Sequence, residues 1–124
     1  FRFDDGTNAF VLATDVELAV TDALDGLRRL VGEPYPAGLL ALDGFFTPEE
    51  VQRHRGWGHS SWAEARDFAA AAGVDSLVLT HHHPGRTDGE LAALEKMDPT
   101  LNWAREGQTL EMSNNEAGVV ENEE

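Results

Sequence analysis

Residue types that can do metal or acid–base chemistry follow three apolar runs of this chain. Asp15 follows AFVLAT, Asp43 follows LLAL and His81 follows SLVLT. A fourth candidate, His59, lies in the sequence RGWGHSS. Because the chain has no cysteine, a bound metal would be held by histidine, aspartate, glutamate or water. Carboxylate and imidazole groups at such positions are suited to binding a divalent cation or to transferring a proton.

Each of these residues also has a simpler interpretation when it is considered alone. A carboxylate at a strand end often forms a turn or caps a helix. A histidine between two helices, such as His59, can be solvated or can cap the serines that follow it. The run His81–His83 has no partner at metal-ligand spacing and by itself is typical of an exposed loop. The elements that carry these residues must therefore decide whether they meet.

The pattern of the chain predicts alternating strands and helices. Helical spacing of apolar residues covers 21–32, and three capping-box sequences, TPEE, SWAE and TDGE, predict helix starts at Thr47, Ser61 and Thr87. The apolar runs between them predict strands. Strands that alternate with helices indicate an α/β layer, in which ligands collect at the strand ends.

Length and charge limit the partners of the chain. Its 124 residues fit one small domain, and 9 basic against 23 acidic residues give a net charge of −14. This charge repels polyanions and argues against nucleic acid as a partner. Arg53 and Arg55 beside Trp57 are too few for a phosphate track, so we expect a solvated helix end with Trp57 packed under the loop. No apolar run reaches the ~20 residues that span a bilayer, so we expect a cytoplasmic protein without a membrane partner.

Taken together, ATD (13–15), RGWGHSS (55–61) and LVLTHHH (77–83) resemble the C-terminal half of the metallo-β-lactamase-fold hydrolases, above all the branch of ribonuclease Z and the cyclic phosphodiesterases. The long run from LDGFFTPEE to HHHP has the order of parts of that family, and WAREGQTLEM resembles its closing hairpin. The resemblance covers 1–112. It implies half of an αββα sandwich, a mixed sheet with helices on one face, and leaves 113–124 as an acidic, disordered tail.

The resemblance also implies roles for single residues. Asp15 would bridge two divalent metal ions, zinc or manganese, and His81 would bind one of them. His59 would be catalytic, either as an acid or as a group that positions the phosphate. Asp43 would accept a hydrogen bond from a ligand histidine or hold the loop to Phe45, with a purely structural role as an equal alternative. His82 would either contact the ligands or lie at the surface. The reaction implied is hydrolysis of a small-molecule phosphodiester or related ester by a metal-activated water.

One part of the family pattern is absent from this sequence. The chain has no H-x-H-x-D-H loop, so most ligands of a two-metal site would have to come from a missing N-terminal half. The start in mid-strand at Phe1 fits a fragment, which we expect to be inactive alone. The alternative is a non-catalytic half-fold used for packing or partner binding. In either case an uncovered sheet face would favour homo-oligomers.

Overall fold

A computed structural model describes residues 1–113 and 116–121, with side chains through Glu111. The six strands are β1 (Arg2–Asp4), β2 (Ala9–Ala13), β3 (Leu39–Asp43), β4 (Ser76–Thr80), β5 (Gln108–Ser113) and β6 (Glu116–Glu121). The four helices are α1 (Thr21–Gly32), α2 (Pro48–Arg53), α3 (Trp62–Ala72) and α4 (Asp88–Met97). The predicted alternation of strands and helices is confirmed.

The first four strands form one mixed sheet in the order β1-β2-β3-β4. Strand β1 pairs antiparallel with β2, whereas β2, β3 and β4 run parallel to one another. The register sets Ala13 opposite Leu42, and Leu42 opposite Leu79. Because parallel strands end at the same edge of a sheet, the residues that follow β2, β3 and β4 come together there.

The hydrophobic core lies between one face of this sheet and the helices. Its strand residues lie on one face of the sheet, where side chains of alternate residues point; they are Ala9, Val11, Leu40, Leu42 and Leu79. The helices contribute Leu27 and Val31 from α1, Phe68 from α3 and Leu91 from α4. The fold is therefore α/β, with a mixed sheet of four strands and core helices on one face.

The opposite sheet face is less open than the sequence led us to expect. Leu39, Ala41 and Val78 point away from the helix-covered core and are nevertheless buried. Phe1 and Phe3, at the β1 edge, are exposed. The expectation of an uncovered face is therefore correct at the β1 edge and wrong at the centre of the sheet.

Three helices begin at the predicted capping boxes. In each box the side chains of two residues accept a hydrogen bond from the backbone N–H of the other residue. The pairs are Thr47 with Glu50, Ser61 with Glu64, and Thr87 with Glu90. Helix α3 is capped at its C-terminus by Gly73, whose φ of 73° lies in the left-handed region. These local signals fix where α2, α3 and α4 begin, and so fix the loops that precede them.

The C-terminal segment differs from the prediction in two ways. Trp103 makes a parallel bridge with Leu79 at the β4 edge and does not pair with β5. Strand β5 instead forms an antiparallel ladder with β6, which spans Glu116–Glu121, and the disorder of 113–124 stays a prediction. The β-branched residues Val119 and Val120 favour this extended backbone. The rest of the predicted tail, at 114, 115 and 122–124, lies outside the described residues.

Among the residues that the structure describes, no helix is both long enough and apolar enough to cross a membrane.

Candidate metal and acid–base site

The carboxyl edge of the sheet brings four of the predicted site residues together. Asp15, Asp43, His59 and His81 each offer one ligand atom, and these atoms all lie within 4.8 Å of one another. Asp15 and His81 have φ values of 50° and 54°, a left-handed conformation that is uncommon for residues other than glycine. Such backbone persists where the surrounding structure holds it, and it is often found at functional sites.

Two acid–histidine pairs make up the cluster. Nδ1 of His59 lies 2.7 Å from Oδ2 of Asp43, and Nδ1 of His81 lies 3.0 Å from Oδ1 of Asp15. The crossed distances are longer, at 4.0 Å from His59 to Asp15 and 3.8 Å from His81 to Asp43. The two imidazole rings are nearly perpendicular, with centroids 4.7 Å apart. The four side chains therefore form one continuous polar group.

Asp43 is the buried centre of this group. Its side chain is fully buried, and its Oδ1 accepts hydrogen bonds from the backbone N–H groups of Phe45 and Ser60, at 3.1 and 3.2 Å. Its other oxygen faces His59. Because a carboxylate only accepts hydrogen bonds, this contact assigns the Nδ1 proton to His59 and leaves Nε2 as the ring atom for other chemistry.

Exposure increases across the cluster from the buried acid to the exposed one. The exposed fraction of the side chain is 15% for His59, 38% for His81 and 64% for Asp15. Asp15 and His81 therefore face solvent, where a ligand can reach them. Asp43 supports His59 from inside the protein.

Phe45 forms an aromatic wall of the site. Its ring stacks on His59, with centroids 4.2 Å apart and planes 11° from parallel. The same ring meets His81 edge-on at 5.2 Å. A ring that contacts both imidazoles restricts their rotation, and it covers one face of His59 with apolar surface.

An ion pair joins α2 to the segment that follows the histidines. Arg86 lies 2.6 Å from Oε1 of Glu50 and also donates to the backbone carbonyl of Phe45. The hydrogen bond from Arg86 holds the pKa of the Glu50 carboxyl at about 2, below its usual value of 4.5. Arg86 thus holds the loop that carries His81 close to the loop that carries Phe45.

The remaining residues of the histidine run are not among the four clustered residues, although the ring of His83 contacts Phe45, with centroids 5.1 Å apart. His82 is not among the four grouped residues, and its Nδ1 lies 3.2 Å from the carbonyl oxygen of His83. Nδ1 of His83 accepts a hydrogen bond from the backbone N–H of Gly85. The supporting role predicted for His82 therefore stays a prediction.

Trp57 corrects one expectation from the sequence. It is 65% exposed and is not packed under the loop. Its ring meets His54 edge-on, with centroids 4.3 Å apart. Nearby, Arg55 forms an ion pair with Glu64, so this charge is already engaged within the chain.

The donor set fits a divalent metal ion of the kind that binds nitrogen and oxygen. Two carboxylates and two imidazoles are the ligands expected of zinc or manganese in a protein without cysteine. Asp15 and His81 fit best, because they are the more exposed pair. The hydrogen bond between Asp43 and His59 engages one atom of each of these side chains.

Several residues that shape the site were missed from the sequence. No role was predicted for the side chains of Phe45 and Glu17, and Ser60 was predicted only as one of the serines that His59 can cap. Ser60 is fully buried and its hydroxyl donates to the carbonyl oxygen of Val16. The available signals were an acid two residues after Asp15 and a serine next to His59, and neither is specific.

The fold and the cluster together define an α/β domain with an acid–histidine site at the carboxyl edge of a mixed sheet. Over 78 residues the chain is 35% identical to ribonuclease Z from Bradyrhizobium diazoefficiens. That match covers 63% of this chain and 25% of the relative, so the matched part is about a quarter of the relative's length. No family model and no solved structure matches the chain.

This similarity disagrees with one expectation from the sequence. Net charge argued against nucleic acid as a partner, yet the relative is named as a ribonuclease. The physical reason is that net charge describes the average field of the chain, whereas recognition depends on local groups and on any bound cation.

Proposed function

We propose that this chain forms part of the catalytic edge of a metal-dependent hydrolase that cleaves phosphodiester or related ester bonds. The observation that carries the proposal is the cluster of Asp15, Asp43, His59 and His81, whose ligand atoms lie within 4.8 Å of one another. The similarity to ribonuclease Z supports the hydrolase class.

Asp15 and His81 are the proposed metal ligands. Both are exposed, and their nearest ligand atoms are 3.0 Å apart. The two oxygens of Asp15 suit it to bridging two ions, zinc or manganese. When bound, the metal would polarise a phosphoryl oxygen and lower the pKa of a water molecule, which makes that water a usable nucleophile.

His59 is the proposed catalytic acid. Asp43 accepts a hydrogen bond from the Nδ1–H group of His59 and so fixes both the tautomer and the ring orientation. In its protonated form, the ring can donate the Nε2 proton to the leaving oxygen of the substrate or hydrogen-bond to a phosphoryl oxygen. Phe45 stacks on the ring and limits its rotation, so that Nε2 keeps one direction.

The proposed substrates are phosphodiesters, among them small-molecule diesters and RNA. RNA is included because of the relative's name, and because bound cations would offset the acidic field of the chain. The remaining ligands and much of the substrate pocket are assigned to a preceding half of the domain, because this chain has no H-x-H-x-D-H loop.

The test is hydrolysis of bis-p-nitrophenyl phosphate and of a short RNA by the full-length protein that carries this chain. We expect Asp15→Ala and His81→Ala to lower both metal content and rate. We expect His59→Ala to keep the metal and to lower the rate by at least about 100-fold, the lower range for an acid–base group.

Asp22→Ala and Asp25→Ala are the matched controls, because both residues are exposed on α1 and lie outside the cluster. They should retain metal content and rate. Unchanged metal content and rate in Asp15→Ala and His81→Ala would contradict the proposal, and would favour the alternative of a non-catalytic half-fold.

A further inference from the structure

We propose that Glu17 is a positioning residue for His59: its carboxylate fixes the loop 54–59 so that the imidazole stays on Asp43, beside Asp15. That this positioning serves catalysis rests on the proposed function, in which His59 is the catalytic acid. It is carried by a buried acid that lies outside the metal cluster.

Glu17 is only 7% exposed, which is unusual for an acid because burial of a charge is costly without compensating hydrogen bonds. The compensation comes from the loop. Oε1 of Glu17 accepts the backbone N–H of Gly56 at 2.7 Å and that of Gly58 at 3.3 Å. One carboxylate oxygen therefore gathers two amides that are two residues apart, and this fixes the path of the chain up to His59.

The loop has a backbone that needs such support. Gly56 and Gly58 have φ values of 92° and 87°, a region in which glycine is at ease and other residues are strained. Two glycines in three residues leave the loop with many alternative conformations once its anchor is removed. Glu17 selects one of them.

A second tie runs in the same direction. The hydroxyl of Ser60 accepts the backbone N–H of Leu18 at 3.0 Å and donates to the carbonyl oxygen of Val16 at 2.6 Å. The segment 16–18 is thus bound on both sides of His59, and it directly follows Asp15. Glu17 and Ser60 together hold the segment 16–18, which follows Asp15, against the loop that carries His59.

The test is nuclear magnetic resonance of the metal-free chain, so it requires neither metal uptake nor turnover. Two signals are read: hydrogen exchange at the amides of Gly56 and Gly58, and the Nδ1 proton of His59 in its hydrogen bond to Asp43. In Glu17→Ala we expect exchange at both amides to be at least about tenfold faster and the ring proton signal to be lost. Glu17→Gln keeps an acceptor oxygen and should retain both signals.

Glu49→Ala is the matched control, since Glu49 is exposed on α2, and it should behave as the unchanged chain. Glu17→Asp keeps the charge on a side chain that is one CH₂ group shorter, so its carboxylate should not contact the two amides and the ring signal should be lost. This variant provides the test if Glu17→Ala does not fold. Wild-type exchange and an intact ring signal in Glu17→Ala or Glu17→Asp would overturn the proposal, as would loss of the ring signal in Glu17→Gln. A failure of metal binding with these signals intact would count against the proposed function alone.

Discussion

Asp43 is the residue on which the arrangement of the site depends. Oδ1 binds two backbone amides and Oδ2 binds His59, so one fully buried side chain orders both a loop and a ring. Removing a buried acceptor leaves its donors unsatisfied, at a cost of about 1–3 kcal/mol for each group. Asp43 is therefore needed for stability as well as for the orientation of His59.

Asp43→Asn should reverse the tautomer of His59. The amide oxygen can still accept from Phe45 and Ser60, which turns the amide nitrogen toward the ring. Nδ1 must then accept, and the proton of the neutral ring moves to Nε2. The measurement is the pair of ¹⁵N shifts of the His59 ring, with Asp22→Asn as the control. An unchanged Nδ1–H tautomer in Asp43→Asn would contradict this reading of the site.

The sequence identified the residues of the cluster but not their pairing. Asp15, Asp43 and His81 could be predicted because each follows an apolar run, and parallel strands end at one edge. The pairing of His59 with Asp43 depends on how the loop 54–59 folds back over the sheet. That path is set by Glu17 and Ser60 through long-range contacts, which have no local signature in the sequence.

At the scale of the elements, the Glu50–Arg86 pair links α2 to the segment after β4. The pKa of Glu50 is lowered to about 2, so ionisation of this carboxyl stabilises the folded state. That contribution is fully present above pH 4.5, the usual value, and is lost as the pH falls through about 2.

Glu50→Gln should therefore show a pH-dependent loss of stability. Its free energy of unfolding should lie furthest below that of the unchanged chain at neutral pH, and the gap should shrink between pH 4.5 and about 2. Urea unfolding over that range measures it. Glutamine also serves in a capping box, so the helix start is preserved. Glu49→Gln, an exposed neighbour, should show no such change, and a gap that is constant with pH would refute the link.

The helix starts and the C-terminal strand pair differ in how local their sequence signals are. The starts of α2, α3 and α4 were predicted because a capping box lies within four residues of sequence. The pairing of β5 with β6 was not, because Val119 and Val120 lie among acidic residues and the composition of 113–124 is typical of disorder.

At the scale of the whole molecule, charge and topology favour a cation at the sheet edge. The net charge of −14 lowers the free energy of a cation near the chain, and the parallel strands β2, β3 and β4 concentrate ligands at one edge. The fold class could be predicted from the alternation of strands and helices. The burial of Leu39, Ala41 and Val78 could not, because it depends on how the whole chain packs.

The most direct test of the central claim is a zinc titration by calorimetry of the full-length protein that carries this chain, with Asp15→Ala, His81→Ala and the control Asp22→Ala. We predict that the unchanged protein and the control bind zinc alike, and that each cluster variant weakens binding by at least about tenfold, as loss of a ligand or of its support does. Equal zinc affinity in all four proteins, or no binding by the unchanged protein, would contradict the claim that this edge of the sheet is a metal site.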